Sequence, residues 1–287
     1  MSIDVFRVLA PGLGATLQDQ GRLGWRRFGV PPSGAMDDHA AAWANRLLDN
    51  LPKAPVLELL LQGVRLEVLQ DSWIAITGAD ADINVPTWKT VRVKTGQVVE
   101  CPHNRAGVWS YIGVEGGFQA WQLLGSASVY ARGKIGKPCS AGEILSRSAA
   151  SSFHLNAGVA GRVVVWSERR RYDSPPTLRV WPGPQRNFLS EPGQRAFFSQ
   201  EWTLSSQSDR VGYRLTGAEL EPRQEQIISE PICVGTIQLP PDGQPIVTMR
   251  DGPTVGGYPK IGLVDPIDLS WLTQCRPGQK VRFQAVQ

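Results

Sequence analysis

The stretch from Gln238 to Lys260 carries the most informative group of reactive side chains in this 287-residue chain. Asp251, Thr254, Tyr258 and Lys260 place an acid, a hydroxyl, a phenol and an amine within ten positions, in Asp251-Gly252-Pro253-Thr254-Val255-Gly256-Gly257-Tyr258-Pro259-Lys260. An earlier turn, Pro240-Pro241-Asp242-Gly243-Gln244-Pro245, and the apolar run Ile246-Val247-Thr248-Met249 precede it. Glycines let a backbone take positive φ and approach a ligand closely. Prolines fix φ and remove donors, so the loop is stiff. A carboxylate there can accept a proton, a phenol can donate to a developing oxyanion, and an amine can hold an anion. The same groups in a tight hairpin would satisfy their own backbone, and both readings stand at this point.

Two further clusters carry hydrogen-bonding groups. Ser205-Ser206-Gln207-Ser208-Asp209-Arg210-Val211-Gly212-Tyr213-Arg214 could orient a polar ligand through Ser205, Gln207 and Tyr213. Arg210 or Arg214 could hold a carboxylate or phosphate by two parallel bonds. A turn that uses Ser and Asp for local caps is the alternative. Gln18-Asp19-Gln20-Gly21-Arg22 is either a polar turn or a pocket edge supplied by Asp19 and Arg22. Asp37 has a sufficient role as a helix cap, and Gly125-Ser126 reads as a loop.

Other chemistries are excluded. There is no Gly-x-Ser-x-Gly elbow, Walker A loop or His-Glu-x-x-His pair. Cys101, Cys139, Cys233 and Cys275 are far apart and the three histidines are isolated. Neither a metal site nor a disulfide framework follows. Net charge is +4, and Arg169-Arg170-Arg171 is the one dense basic run, too little for a nucleic-acid surface. No run of about 18 apolar residues would span a membrane. Met1-Ser2-Ile3-Asp4-Val5-Phe6 opens no signal peptide. The expectation is a cytoplasmic protein with reduced thiols.

The elements that must position these groups are mostly short strands. Thirty glycines and 22 prolines without a repeat period indicate many turns. Leu57–Leu61, Val64–Leu69, Trp73–Thr77, Val91–Val93, Val108–Val114 and Val163–Trp166 read as strands in the first half. Ile227-Ile228, Thr236–Leu239, Ile246–Met249, Ile261–Val264 and Lys280–Phe283 continue the pattern. Strand after strand indicates barrels or sandwiches, an all-β class with a few short helices. The clearest helix runs from Asp37 to Asp49, where Ala40, Trp43, Ala44, Leu47 and Leu48 form one stripe. Shorter helices are expected near Ser190-Glu191-Pro192 and over Asp268–Gln274. Similar turn segments at Thr95-Gly96-Gln97 and Pro277-Gly278-Gln279 suggest two related units. The boundary falls within Arg169–Pro176, giving domains 1–173 and 174–287.

Taken in order, these motifs carry a resemblance. Thr16-x-Gln18-Asp19-x-Gly21-Arg22, Gly34-Ala-Met-Asp37, Ala44-Asn45, Leu57-Glu58, Gly116-Gly117 and Gly125-Ser126 run through the first half. Ser205-x-Gln207-Ser-x-Arg210-x-Gly212-Tyr213-Arg-Leu, Gly235-Thr-Ile-Gln238-x-Pro240, Gly243-x-Pro245-Ile and Gly256-Gly257-Tyr258-Pro259 follow. This series, from about residue 5 to 285, resembles the biotin-dependent carboxyltransferase family. More narrowly it resembles the branch formed by the C components of 5-oxoprolinase, the KipA-like proteins of the allophanate hydrolase subunit 2 type. The resemblance implies two tandem cyclophilin-like β-barrels. It implies a KipI-like B component and a further A component as partners. Such a complex opens the lactam of 5-oxo-L-proline to L-glutamate at the cost of ATP.

ATP would be used by the complex, for no phosphate-binding loop is recognisable here, and the single chain should be inactive alone. On that reading Asp251 is the proton acceptor, Tyr258 the oxyanion donor, and Lys260 or Arg210 the anchor of a substrate carboxylate. Gln238, Thr254, Ser205, Gln207, Tyr213, Asp19 and Arg22 complete the pocket. The rival implications are carboxyl transfer to urea from biotin on a partner, and a non-enzymatic regulator that relieves a KipI-like kinase inhibitor. No biotinylation segment is recognisable in the chain. Two positions depart from the family pattern. Pro253 stands where a Gln is expected, and Ala127-Ser128-Val129-Tyr130-Ala131 lacks the usual Ser-Thr-Asp-like ending. An amide missing from a site loop removes a donor and an acceptor, which puts substrate preference in question.

Overall fold

The computed structural model describes residues 2–148, 159–223 and 227–286. The chain divides into two compact units, one of Met1–Arg22 with Ser33–Asp173 and the other of Leu23–Pro32 with Ser174–Gln287. The fold is mainly β, as the succession of short strands predicts, with three α-helices among the described residues.

The first unit holds β1 (Ser2–Pro11), β2 (Ala15–Gln18), β3 (Val56–Leu60), β4 (Val64–Val68), β5 (Ser72–Ala81), β6 (Thr90–Val93), β7 (Val98–Cys101), β8 (Asn104–Val114) and β9 (Ile144–Ser148). They make a five-stranded sheet in the order β2-β3-β8-β5-β6 and a four-stranded sheet in the order β7-β4-β1-β9, with antiparallel neighbours throughout. Alternation places Val64, Leu66 and Val68 on the inner face of β4, where they join Phe6, Val8, Leu57, Ile74 and Ile112 in one fully buried core. Burying side chains of this size contributes about 1.5–3 kcal/mol each.

Helix α1 (Asp38–Leu47) packs on β5 and β8 through Ala40, Ala44 and Leu47. Small residues let it come close. A Cβ on Gly113 of β8 would stand 3.1 Å from the Ala44 carbonyl oxygen, so any side chain there would crowd the helix backbone. Asp37 caps the helix by accepting the Ala40 N–H at 3.0 Å.

The second unit holds β10 (Leu178–Pro182), β11 (Trp202–Leu204), β12 (Gly212–Thr216), β13 (Glu230–Pro231), β14 (Thr236–Gln238), β15 (Ile246–Thr248), β16 (Val255–Gly256), β17 (Lys260–Val264), β18 (Lys280–Val281) and β19 (Phe283–Ala285). Eight of these form one sheet, β18-β11-β12-β15-β14-β17-β10-β19. Its two edge strands, β18 and β19, are separated by Arg282 alone, so the sheet curls into a nearly closed barrel. β10 and β19 are its parallel pair. β13 and β16 form a separate ribbon in which Glu230 faces Gly256 and Pro231 faces Val255.

Helix α2 (Glu191–Ser199) supplies Phe197, whose ring stacks on Phe283 at 5.2 Å, beside the fully buried Trp202. Helix α3 (Pro266–Thr273) starts at Asp265, which caps Ile267 N–H, and Arg179 joins both Asp265 and Asp268.

Two expected strands are absent. Val163–Trp166 gives only a single bridge, Lys89 to Val163, and then a 3-10 turn over Trp166–Glu168. Thr90 N–H and Val164 N–H bond across to the Arg162 and Trp88 carbonyls at 2.9 Å each, but Val163, Val165 and Trp166 are exposed and the pairing with the start of β6 goes no further. Ile228 is 88% exposed, and pairing begins two residues later at Glu230.

Candidate functional site

In the second unit the loop after β15 forms two separate ion pairs. Asp251, whose side chain is 8% exposed, accepts Arg210 Nε at 2.8 Å and a terminal Arg210 nitrogen at 3.2 Å. The Asp251 N–H also donates to the Arg210 carbonyl at 2.8 Å. Arg210 is therefore engaged by the chain's own acid. Lys260 opens β17 with its ammonium buried, and it donates to Glu230 Oε2. Gln185 Nε2 donates to the same oxygen at 2.9 Å, while Gln185 Oε1 accepts the Lys260 N–H at 3.1 Å. The bond from Lys260, and then that from Gln185, hold the Glu230 carboxyl below the usual range. Glu230 lies thirty positions from Lys260 and carries no motif of its own.

Gln238 is buried and donates to Thr248 Oγ1 at 2.9 Å. Gly256 lies against it. A Cβ at Gly256 would come 2.3 Å from Ile232 Cδ1 and 2.9 Å from Gln238 Oε1. The Thr254 carbonyl accepts the Ile232 N–H at 3.0 Å. Tyr258 is 44% exposed, and its hydroxyl has no partner among the described residues. These positions thus lie on one loop and the strands bordering it.

The remaining expected residues have local partners. Ser205 Oγ accepts the Gln207 N–H at 3.2 Å, and Asp209 Oδ1 accepts the Val211 N–H at 2.8 Å. Ser205 and Gln207 therefore sit in a self-capped turn. Tyr213 is buried, with its hydroxyl donating to the Thr273 carbonyl at the end of α3 at 2.8 Å.

Asp19 and Arg22 belong to the first unit. Asp19 Oδ1 accepts Gly21 N–H at 2.8 Å and the hydroxyls of Ser126 and Ser128 at 2.6 Å each. Its Oδ2 accepts Ala127 N–H at 2.7 Å. Three donors share Oδ1 and one meets Oδ2, so most of the carboxylate's roughly four lone-pair sites are engaged. Arg22 donates to the Ser128 carbonyl. Asp19 also borders a cleft of about 1150 Å³, whose walls include Asn50, Lys53, Trp121, Lys137 and Cys139. The Gly125-Ser126 loop thus supplies a hydroxyl that faces Asp19.

A second buried network crosses the same unit. Tyr111 donates to Glu58 Oε2 at 2.8 Å and accepts the Asp37 N–H at 2.7 Å. Glu58 Oε2 takes the Met36 N–H at 2.7 Å, and Tyr172 donates to Asp37 Oδ2 at 2.6 Å. Burial, then the charges of Glu58 and Asp37, push the Tyr111 phenol well above its ordinary value. Asp37 and Glu58 stood within motifs, whereas Tyr111 and Tyr172 had no local signal. Burial also pushes the thiols up, to about 11 for Cys101 and about 12 for Cys139 and Cys275, so these remain protonated.

Two strand-built units, with the acids near the candidate loop tied by the chain's own cations, define a β-rich carboxyltransferase-type domain. The chain belongs to the family described as carboxyltransferase domain, subdomain A and B, which matches residues 28–285. It is similar to the C component of 5-oxoprolinase from Haemophilus influenzae, at 35% identity over 95% of this chain and 88% of that protein. It is also similar to the C component of 5-oxoprolinase from Escherichia coli, at 33% identity over 97% of this chain and 90% of that protein. Urea amidolyase of Lachancea kluyveri is 28% identical, over 97% of this chain but 17% of its own length. Among solved structures, TTHA0988 superposes with a TM-score of 0.88 at 33% identity, covering 98% of this chain. The chain spans 55% of that protein's length.

Proposed function

We propose that this chain is the C component of a multi-component 5-oxoprolinase. It would act with a KipI-like B component and an A component to open the lactam of 5-oxo-L-proline to L-glutamate. The observation that carries this reading is the similarity to two such C components over about nine-tenths of their length. The urea amidolyase relative is less alike and is matched over a small fraction of its length. Being one component among several, the chain alone should be inactive. ATP would drive the reaction in the assembled complex, and no residue here is assigned to it.

Lactam opening needs a proton acceptor for the attacking water and a donor for the oxyanion that forms on the carbonyl. Tyr258 supplies an exposed phenol without an internal partner. Asp251 supplies a carboxylate whose direction Arg210 fixes. Lys260 supports the loop through Glu230 rather than meeting substrate, which moves it from a catalytic to a positioning role in this proposal. A cytoplasmic location fits the same reading, and among the described residues no helix is long and apolar enough to cross a membrane.

The test is to purify the chain together with the A and B components and to measure glutamate formation and 5-oxoproline-dependent ATP hydrolysis. Turnover that disappears when this chain is omitted supports the proposal. An intact complex without turnover overturns it. Carboxyl transfer is the second reading, favoured by the family description and the urea amidolyase relative. It predicts urea-dependent loss of carboxyl from a biotinylated partner.

A further inference from the structure

The cations of the second unit differ in how their charge is met. Arg210 has Asp251, Lys260 has Glu230, and Arg179 has Asp265 and Asp268. Arg26 has none of these. It opens a 3-10 turn, Arg26–Phe28, that ends on Gly29 at φ 79°, within the segment Leu23–Pro32 that belongs to this unit. Its guanidinium is half-buried and makes one long contact, from a terminal nitrogen to the Pro253 carbonyl at 3.4 Å. The other terminal nitrogen is buried without a hydrogen-bond partner, and no acid lies in ion-pair range among the described residues.

A partly buried cation without a counter-ion loses hydration and regains little. Burial accordingly depresses the Arg26 pKa, against a smaller opposing effect from the nearby Cys233. Such a group suits an anion, since an incoming carboxylate would supply the missing charge and accept a charge-assisted N–H bond. The Thr254 hydroxyl, next to Pro253, has no hydrogen-bond partner among the described residues, and Tyr258 is four positions further along.

We propose that Arg26 is the residue that receives the carboxylate of the substrate, with the Pro253–Tyr258 loop beside it. The identity of that carboxylate rests on the function proposed above, in which the substrate is a small cyclic amide bearing one. Arg210 and Lys260, which sequence favoured for this task, are already held by acids of the chain. Pro253, which departs from the family pattern, contributes a carbonyl to Arg26 and no N–H.

The experiment compares the wild-type chain, Arg26→Gln and Arg26→Lys, alone and within the assembled complex. Calorimetry follows 5-oxoproline and 2-pyrrolidinone, the same lactam ring without a carboxylate. Arg26→Gln should weaken 5-oxoproline binding at least tenfold, raising KM more than it lowers kcat in the complex. Arg26→Lys should recover part of the loss, and 2-pyrrolidinone should not respond to either change. Because the charge is unmet in the free protein, Arg26→Gln should melt no lower than wild type. A structural arginine would behave oppositely, so a clear drop in Tm with unchanged binding overturns the proposal. So does equal binding of 5-oxoproline to wild type and Arg26→Gln, or no binding to wild type. Arg26-dependent binding of 5-oxoproline without turnover by the complex would sink the proposed function and leave the receptor standing. Turnover indifferent to Arg26 would do the reverse.

Discussion

Asp251 and Arg210 hold each other through two hydrogen bonds while both are largely buried, so Asp251→Asn tests more than proton transfer. The amide can accept one bond from Arg210 but no longer offers a charge to it, a loss of about 1–3 kcal/mol. We expect a lower Tm for this variant together with a turnover loss of roughly 10²–10⁴-fold in the complex. Thermal melts and glutamate assays on the same preparation separate the two effects, and turnover that stays at wild-type level removes Asp251 from the chemistry. Tyr258→Phe should leave Tm unchanged, since its hydroxyl bonds to nothing internal, and any lost turnover then reports on the oxyanion.

Residue types made Asp251, Tyr258 and Lys260 readable in the sequence. Their pairings were not, because Arg210 and Glu230 lie 41 and 30 positions away and meet them only through the barrel's topology. Arg26 carried no signal either. What sets it apart is a missing partner, which only a three-dimensional inventory reveals.

Among the elements, α1 was legible almost to the residue because its apolar stripe and its cap are both local. The cap does more than sequence suggests, for Asp37 also receives Tyr172 and its N–H meets Tyr111. Asp37→Ala should cost about 0.5–2 kcal/mol for the lost cap alone. The lost bond from Tyr172 adds to this, so the fall in Tm should exceed that of Tyr172→Phe, as differential scanning fluorimetry can check.

The same network sets a pH response. Tyr111 has a raised phenol pKa in the fold, so from about pH 10 upward the unfolded chain releases a proton the folded one keeps. Its contribution is complete below that pH and is lost as pH rises toward the folded value. Alkaline unfolding should therefore be steeper for wild type than for Tyr111→Phe, and parallel curves would count against the assignment.

Strands were harder to read than the helix. β4 announced itself by alternation, whereas Val163–Trp166 had strand-like residues but pairs with the start of β6 over a single bridge. β1 runs ten residues but mixes Arg7 and Glu-facing positions into its pattern, and it takes shape through two neighbours, β4 and β9.

At the scale of the molecule, composition and turn density were enough to predict a mostly β chain. The return of the chain at Asp173 lies inside the charge-rich stretch Arg169–Pro176. The earlier excursion of Leu23–Pro32 into the second unit lies within the sequence of the first, where no composition shift marks it. A fragment of residues 174–287 should therefore melt lower than the same fragment with residues 23–32 joined by a flexible linker. Identical melts would show that the segment adds nothing to the unit's stability.

That excursion also orders events in time during synthesis. Arg26 and Pro253 are 227 positions apart, and ribosomes add roughly 5–20 residues each second. The decapeptide must wait roughly 10–45 seconds for the loop it will meet, while the strands of the first unit emerge on either side of it. Two exposed apolar side chains, Leu23 and Phe28, wait with it. The length of that wait is written into the gene as distance.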